Sequence, residues 1–271
     1  MKTRLLLLIS CLLITGAAQA QTWVAIGDSL AFGYQQAKFL NLFLSGQYDP
    51  AAFNTGFVDV ITSFAQSSQP NFKTANFSCP GETTTSLVVG GCPLHNWVFA
   101  LPLHEDYPGS TPQIFAAVQY LQAHPGEVVL ITVTIGGNDL LNLLSNCAGD
   151  ATCVQQGLPG VTTQASNTLA NVIFYLRTIS PQSVVLYTNV PDPYAFSDPT
   201  TVAIFSSFNS AMGAAATKAG GRVVDWFGQE QQFDQNTLCL LSYVCQAPLY
   251  DIHPTDFGYQ ILAVWTVQAL Q

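Results

Sequence analysis

The stretch that decides the fold is Trp23–Leu30, with the sequence WVAIGDSL. Its first four residues form a short apolar run, which predicts a buried strand that Gly27 should end. Ser29 then falls on the turn between this strand and the helix expected after it. Open α/β sheets carry their chemistry at the carboxyl ends of the strands, so the Ser29 hydroxyl is a candidate functional group. An ordinary polar turn would look the same, and the rest of the chain has to decide.

Strands and helices alternate along the chain, and no repeat or domain linker interrupts them. The nearly continuous β-branched run Val128–Ile135 is typical of a central parallel strand that is covered on both faces. We therefore predict one three-layer α/β/α domain with a parallel sheet of about five strands. The other predicted strands are Phe72–Phe77, Val184–Asn189 and Arg222–Trp226. The predicted helices are Asn54–Ala65, Ser110–His124, Thr162–Thr178, Thr201–Ala219 and Thr255–Ala269, with a short helix that ends near Leu144, an irregular stretch from Ser29 to about Pro50, and a long loop over Gly90–Pro112.

Residues 1–20 have the features of a secretory signal peptide, and the domain is expected to span residues 21–271. Lys2 and Arg4 give a charged start, Leu5–Ile14 an apolar centre too short to span a membrane, and Ala18–Ala20 a small-residue cleavage site. A lipoprotein anchor at Cys11 is the rival interpretation, but too few apolar residues precede that cysteine. The sequence therefore predicts a secreted, extracellular protein.

The chain is strongly acidic, with 7 Lys and Arg against 16 Asp and Glu and a net charge of −9. Loss of Lys2 and Arg4 with the leader would leave 5 basic residues and a net charge of −11. Such a balance argues against nucleic acid and anionic membrane surfaces as partners. A hydrophobic fraction of 49% excludes a disordered composition.

Six cysteines remain once Cys11 has left with the leader. An even number in an exported chain predicts disulfides, although six cysteines permit fifteen connectivities. The spacing favours three local bridges. Zinc is the competing explanation, but no Cys-x-x-Cys pair and no Cys/His cluster supports it. The expected pairs are Cys79–Cys92, Cys147–Cys153 and Cys239–Cys245.

Polar blocks recur at the ends of the predicted strands. The first strand ends in Gly-Asp-Ser, the second is followed by Gly81, and the third ends in the run Gly136–Asp139. Tyr250–Pro254, with the sequence YDIHP, precedes the last helix. Serine, histidine and an acid mean little singly, but their placement at strand ends along one edge of a sheet is far more informative.

These four blocks, in this order from residue 27 to 258, resemble those of the SGNH hydrolases, also called the GDSL lipase/esterase family. Gly-Asp-Ser-Leu matches the nucleophile block, Gly81 the second block, Gly136–Asp139 the third, and His253-Pro254 the last. The resemblance implies a flavodoxin-like α/β/α fold of the secreted bacterial type. It also implies a serine ester hydrolase that needs no metal and no cofactor.

In that family the serine attacks the ester carbonyl and the histidine takes its proton, which assigns these roles to Ser29 and His253. The oxyanion would be held by the backbone N–H groups of Ser29 and Gly81 and by the side-chain amide of Asn138. One departure concerns the acid, which usually stands three residues before the histidine. Tyr250 occupies that position here, and either Asp251 or the Tyr250 backbone carbonyl could orient the ring. We favour Asp251, because a carboxylate stabilises the imidazolium best.

The remaining polar and aromatic candidates are weaker. We interpret the other histidines as surface or hydrogen-bonding residues, and the acids beside the catalytic blocks as turn residues that support them. Aromatic residues of the long loop could line a substrate pocket or simply pack on the core. The histidines are His95, His104 and His124, the acids are Asp28 and Asp139, and the aromatics are Trp97, Phe99 and Tyr107.

The sequence thus predicts a secreted carboxylic ester hydrolase, an esterase or lipase, that acts as a monomer on a small-molecule, lipid or glycan ester without stable membrane insertion. A polysaccharide O-deacetylase would use the same catalytic residues, and acyl transfer to an acceptor other than water is a third possibility. A non-catalytic secreted binding module is the alternative from another class, although intact Ser29, Asn138 and His253 argue against it.

Overall fold

A computed structural model describes residues 21–92, 95, 101–195, 198–246 and 251–271. Its centre is a five-stranded parallel sheet with the strand order β2-β1-β3-β4-β5. This order is the flavodoxin-like doubly wound arrangement, in which the strand order reverses beside β1. The predicted fold class is confirmed. The strands are β1 (Thr22–Gly27), β2 (Lys73–Asn76), β3 (Val128–Thr134), β4 (Val184–Thr188) and β5 (Arg222–Val224).

Helices cover both faces of the sheet, because residues along each buried strand alternate between two apolar layers. In β1, Val24 and Ile26 join one core cluster, while Trp23 and Ala25 join the other. Two 3₁₀ turns, Pro50–Phe53 and Tyr243–Cys245, accompany the helices. The helices are α1 (Ser29–Phe32), α2 (Gln36–Ser45), α3 (Phe57–Ser68), α4 (Thr84–Val89), α5 (Gln113–Ala123), α6 (Gly137–Cys147), α7 (Ala151–Ile179), α8 (Thr200–Lys218), α9 (Trp226–Glu230), α10 (Gln235–Leu241) and α11 (Asp256–Gln268).

Helix α2 lies in the stretch that we expected to be irregular. None of its residues is fully buried, and only partly buried side chains such as Phe39 and Leu42 pack against the core. Gln35 at its N-cap makes no side-chain capping bond. The Gln36 N–H, the first of the helix, instead donates to the Asp251 carboxylate. The cap therefore comes from a residue 215 positions away, which local sequence patterns do not reveal.

Helix α7 begins eleven residues earlier than predicted, at Ala151 instead of Thr162. Pro159 lies inside it, with Gly157 and Gly160 as neighbours, and such residues usually indicate a helix end. The helix persists because its buried side, which includes Val154 and Ala165, packs in the core. Tertiary packing overrides the local preference here.

The three expected disulfides are present between described cysteines, with Cα–Cα separations of 5.3–5.9 Å that suit such bonds. Cys79–Cys92 ties the turn after β2 to the end of the α4 region. Cys147–Cys153 joins the end of α6 to the first turn of α7, and Cys239–Cys245 closes α10 onto the following 3₁₀ turn. Within the described residues, no helix is both long and apolar enough to cross a membrane.

Candidate active site

Ser29 is the first residue of α1, directly after the carboxyl end of β1. Asp28 caps this short helix by accepting the Leu30 N–H at 3.0 Å. Gly27 has φ +152°, and a side chain there would collide with the Thr134 carbonyl of β3. The glycine therefore lets β1 and β3 stay paired up to the turn, and this pairing fixes where the serine emerges from the sheet.

His253 brings its imidazole to Ser29 across 224 residues of sequence. Its Nε2 lies 2.8 Å from Ser29 Oγ, and its Nδ1 lies 2.6 Å from Asp251 Oδ1. Serine, imidazole and carboxylate thus form one hydrogen-bonded chain. In this geometry Nδ1–H faces the carboxylate, which leaves Nε2 to accept the serine proton.

Asp251 is only 5% exposed, yet it is surrounded by donors. Burial raises the pKa of its carboxyl group, but the His253 side chain and the backbone N–H groups of Gln36 and His253 outweigh this, so the net pKa is lowered. The Gln36 N–H lies 2.7 Å from Oδ2 and is the first N–H of α2. The structure thus keeps this carboxylate ionised beside the imidazole. Tyr250, the alternative source of an acceptor, lies outside the described residues.

Two backbone hydrogen bonds tie the chain at and just after His253 to the α10 region. The Tyr243 N–H donates to the His253 carbonyl at 3.0 Å, and the Thr255 N–H donates to the Leu241 carbonyl at 2.9 Å. Tyr34 packs edge-on against the imidazole, with ring centroids 4.8 Å apart. The Cys239–Cys245 disulfide encloses Leu241 and Tyr243, the two residues that make these backbone bonds.

Gly81 and Asn138 lie beside Ser29 on the wall of one cavity. Gly81 has φ +85°, a backbone conformation that favours glycine. Asn138 stands in the first turn of α6 after β3, and its Nδ2 donates to the Glu82 carbonyl at 2.9 Å. An amide nitrogen carries two hydrogens, so one remains for a ligand in the cavity. The predicted oxyanion donors are brought together, while their roles stay predictions.

Three carboxyl groups lie behind these donors, with Asp28 and Glu82 buried and Asp139 half-buried. Burial raises the pKa of Asp28 to about 7 and that of Glu82 to about 7, and the nearby Asp139 adds to both. Burial also raises the pKa of Asp139, against the opposing effect of its hydrogen bonds from Thr84. The acids Asp28 and Asp139 therefore belong to the framework of the site, as the sequence predicted for turn residues. Glu82 was missed because a lone glutamate after a glycine carries no signal.

The cavity over the site has a volume of about 470 Å³ and is mainly apolar. It lies above the carboxyl ends of the strands, between helices from both faces of the sheet. The wall from α10 was not anticipated, because that helix was not predicted, whereas α11 matches the predicted helix Thr255–Ala269. The apolar lining includes Leu141, Val190, Phe205, Leu238, Leu241 and Trp265.

The weaker candidates lie elsewhere. His104 Nε2 is hydrogen-bonded to the Phe32 carbonyl and His95 Nδ1 to the Leu101 carbonyl, while His124 stacks on a tyrosine ring. Tyr107 is buried in the core, with its hydroxyl on the Phe77 carbonyl, and so does not line the pocket. Trp97 and Phe99 lie outside the described residues. Cys79 and Cys92 lie close to Glu82, as a set of metal ligands would. The two cysteines are bonded to each other, however, so neither presents a thiolate to a metal ion.

The model of the GDSL-like lipase/acylhydrolase family matches residues 25–261. No curated protein matches the chain.

Several solved structures share the fold at low sequence identity. The lipase Lip_vut3 from a goat rumen metagenome has 17% identity and a TM-score of 0.58, with 92% of this chain and 97% of that one covered. An extracellular lipase from Streptomyces rimosus has 16% identity and a TM-score of 0.58, with 92% and 98% covered. A variant of the acetyl xylan esterase Axe2 from Geobacillus stearothermophilus has 15% identity and a TM-score of 0.54, with 93% and 95% covered. At such identities the likeness establishes the fold.

Proposed function

The chain belongs to the GDSL-like lipase/acylhydrolase family, and from this premise we propose that it hydrolyses carboxylic esters through an acyl-enzyme on Ser29. The observation that carries the proposal is the hydrogen-bonded chain from the Asp251 carboxylate through His253 to the Ser29 hydroxyl, at 2.6 and 2.8 Å. A nucleophile, a base and an orienting group within hydrogen-bonding reach are the parts that covalent acyl transfer requires.

The reaction proceeds in two halves. Ser29 Oγ attacks the ester carbonyl while its proton passes to His253 Nε2, and the resulting imidazolium returns that proton to the departing alcohol. The acyl group then remains on Ser29. Water attacks it in the second half, with His253 again taking a proton and giving it back to Ser29. Throughout, the Asp251 carboxylate accepts Nδ1–H and stabilises the positive ring.

The tetrahedral oxyanion would be held by three donors: the backbone N–H groups of Ser29 and Gly81 and the side-chain amide of Asn138. All three residues line the same cavity as His253. An amide suits this task, because it donates a hydrogen bond and does not titrate. Removal of one such donor typically lowers turnover by about 10²–10³.

The cavity supports an acyl group longer than acetyl. Its volume of about 470 Å³ and its leucine, valine and phenylalanine walls suit an alkyl chain. Burial of one CH₂ contributes about 0.8 kcal/mol, which corresponds to about fourfold in kcat/KM. A lipid-like or medium-chain ester is therefore a better fit than a polysaccharide acetate, whose acyl group would leave the walls uncovered.

The ionisable side chains around the cavity favour an uncharged substrate. Its described lining contains neither lysine nor arginine, and burial raises the pKa of its carboxyl groups, those of Asp28, Asp192 and Glu230. Recognition of phosphate normally uses such basic side chains. We therefore propose a neutral ester as the substrate.

The proposal includes the compartment. Residues 1–20 would be removed as a signal peptide, and residues 21–271 would work as a secreted monomer. Three disulfides are consistent with an oxidising, extracellular environment.

The test is hydrolysis of p-nitrophenyl esters from acetate to palmitate by the wild type and by Ser29→Ala. The wild type should gain about fourfold in kcat/KM per methylene until the cavity is full, and then level off or decline. Ser29→Ala should lose turnover by about 10⁴ or more.

Ser67→Ala is the matched control, since this serine is exposed on α3. It should keep full activity. A wild type that is folded but inactive on every chain length would contradict the esterase and favour the binding module. Highest activity on acetate would favour the deacetylase.

A further inference from the structure

Gln113 is a buried amide that the catalytic roles above do not use. It is the first residue of α5 and only 1% exposed, and it lies 86 residues from β1 in sequence. A polar side chain in such a place is costly to bury unless its hydrogen bonds are satisfied. Its partners Gly27 and Glu82 lie in the two turns that border the candidate oxyanion hole.

The side chain of Gln113 pairs with both backbone groups of Gly27. Gly27 N–H donates to Oε1 at 2.6 Å, and Nε2 donates back to the Gly27 carbonyl at 2.9 Å. The second hydrogen on Nε2 goes to Glu82 Oε2 at 3.0 Å. Both hydrogens and the oxygen of one amide are therefore used, and the end of β1 is linked to the turn after Gly81.

Glu82 carries this linkage to the third donor. Its backbone carbonyl accepts the Asn138 Nδ2–H at 2.9 Å. A continuous series of hydrogen bonds therefore runs from Gly27, two residues before the nucleophile, through Gln113 and Glu82 to Asn138. Gln113 thus joins two of the three turns directly, and the Glu82 carbonyl joins the third, that of Asn138.

We propose that Gln113 is a positioning residue that holds the nucleophile turn and the oxyanion donors at the spacing needed for the transition state. The inference rests on the proposed esterase function. Displacements of about 1 Å at a reacting centre can cost about 10²-fold in rate, so loss of the linkage should slow chemistry more than it weakens substrate binding. A purely structural amide would affect unfolding without this selective effect on kcat.

The first test compares the wild type with Gln113→Met, a change of similar size that removes all three hydrogen bonds. We expect kcat to fall by about 10- to 100-fold while KM changes by less than about twofold. Burst titration with an activated ester or an organophosphonate counts competent sites, so that kcat refers to folded enzyme alone. Gln164→Met is the matched control, because the Gln164 amide also links two segments of the chain, through Thr85 Oγ1 at 2.7 Å, but is exposed. It should retain the wild-type kcat.

A double-mutant cycle with Asn138→Ala tests whether Gln113 acts through the oxyanion hole. If it does, the double variant should lose much less activity than the product of the two single losses. An alkyl boronic acid, which forms a tetrahedral adduct with the serine, should bind Gln113→Met more weakly by the same factor as kcat/KM falls. Independent losses, or unchanged boronate affinity, would overturn the proposal.

A conservative variant keeps the inference testable if Gln113→Met does not fold. A neutral carboxylic acid has the shape of the amide and retains an acceptor and one O–H donor. The activity of Gln113→Glu relative to wild type should therefore rise as the pH falls, and a ratio independent of pH would contradict the proposal. Wild-type kcat in Gln113→Met, with Ser29→Ala inactive, would reject the positioning role alone. Full activity in Ser29→Ala would reject the proposed function itself.

Discussion

Two buried carboxyl groups on opposite sides of the candidate site have pKa values shifted in opposite directions. Asp251 beside the imidazole is 5% exposed, and Glu82 beside the oxyanion donors is 1% exposed. Burial raises the pKa in both cases. At Asp251 the effect of the imidazole and the backbone donors exceeds that of burial, and the net pKa is lowered. At Glu82 the effect of burial is the larger one, and the pKa rises to about 7.

The difference shows that the partners, more than the depth of burial, decide whether a carboxyl group is charged. Asp251 receives hydrogen bonds from a helix N-terminus and from a ring that can become cationic. Glu82 receives the Gln113 amide and faces another acid, Asp139. The candidate site thus has an ionised side beside the imidazole and a side held mainly by neutral hydrogen bonds.

The largest effect should follow from breaking the ionised side. Asp251→Asn keeps the shape of the side chain but removes the charge that stabilises imidazolium and fixes the ring tautomer. We expect kcat to fall by about 10³–10⁴ with a small change in KM. Steady-state kinetics on the preferred p-nitrophenyl ester, normalised by active-site titration, measures this.

Asp106→Asn provides the control, because Asp106 is exposed and lies 3.6 Å from the imidazole of His95, outside the site. It should retain wild-type turnover. Near-normal turnover in Asp251→Asn would mean that another acceptor orients His253, and would return the Tyr250 carbonyl to consideration.

A smaller effect should distinguish two disulfides of equal span. Cys147–Cys153 and Cys239–Cys245 each separate their cysteines by 6 positions, so their contributions from chain entropy should be equal, about 2 kcal/mol each. Paired Cys→Ser replacement should therefore lower Tm by several degrees in both cases. Only loss of Cys239–Cys245 should also lower kcat, by severalfold, since that bridge closes the segment hydrogen-bonded around His253.

Melting curves together with turnover at 25 °C make this comparison, and the variant without Cys147–Cys153 is the control for the variant without Cys239–Cys245. Equal kcat in the two variants would show that the bridge contributes stability without positioning the histidine.

The smallest effect is the contribution of the Glu82 carboxyl group to the pH dependence of the free energy of unfolding. The folded pKa of Glu82 is raised above its unfolded value, so the native state holds more protons between about pH 4.5 and 7. Stability therefore falls as pH rises through that window, with a contribution from Glu82 on the order of 2 kcal/mol. Urea unfolding at pH 5 and pH 8 should show a smaller difference for Glu82→Gln than for wild type.

Glu127→Gln, at the amino end of β3 and so at the opposite edge of the sheet, should leave the wild-type difference unchanged. If the free energy of unfolding of the wild type instead rose from pH 5 to pH 8, this would contradict the raised pKa values of the buried carboxyl groups.

The features of the fold and of the candidate site that the sequence predicts depend on local signals. β1 and β3 are apolar runs that end in glycine, and the sheet has the predicted parallel order of an α/β domain. Ser29, Gly81 and Asn138 follow strands, so the rule that parallel strands present their carboxyl ends at one edge places them together. His253 was identified by its block near the last helix, and the structure brings it within hydrogen-bonding distance of Ser29.

The parts that escaped prediction depend on distant contacts. Helix α2 is capped by Asp251 and buries no residue, and α7 continues through Pro159 because its other residues pack in the core. Gln113 stands at an ordinary helix start, where glutamine carries no functional signal. Its importance is visible only once β1 and the turn after Gly81 converge on it.

The most direct test of the central claim is covalent labelling of the native protein with a fluorophosphonate, followed by intact-mass measurement and peptide mapping. The account predicts one phosphonyl group per chain, on Ser29, with no label on Ser29→Ala and strongly slowed labelling of His253→Ala. Absence of label in folded wild type, or a label on another residue, would contradict the assignment of Ser29 as the nucleophile.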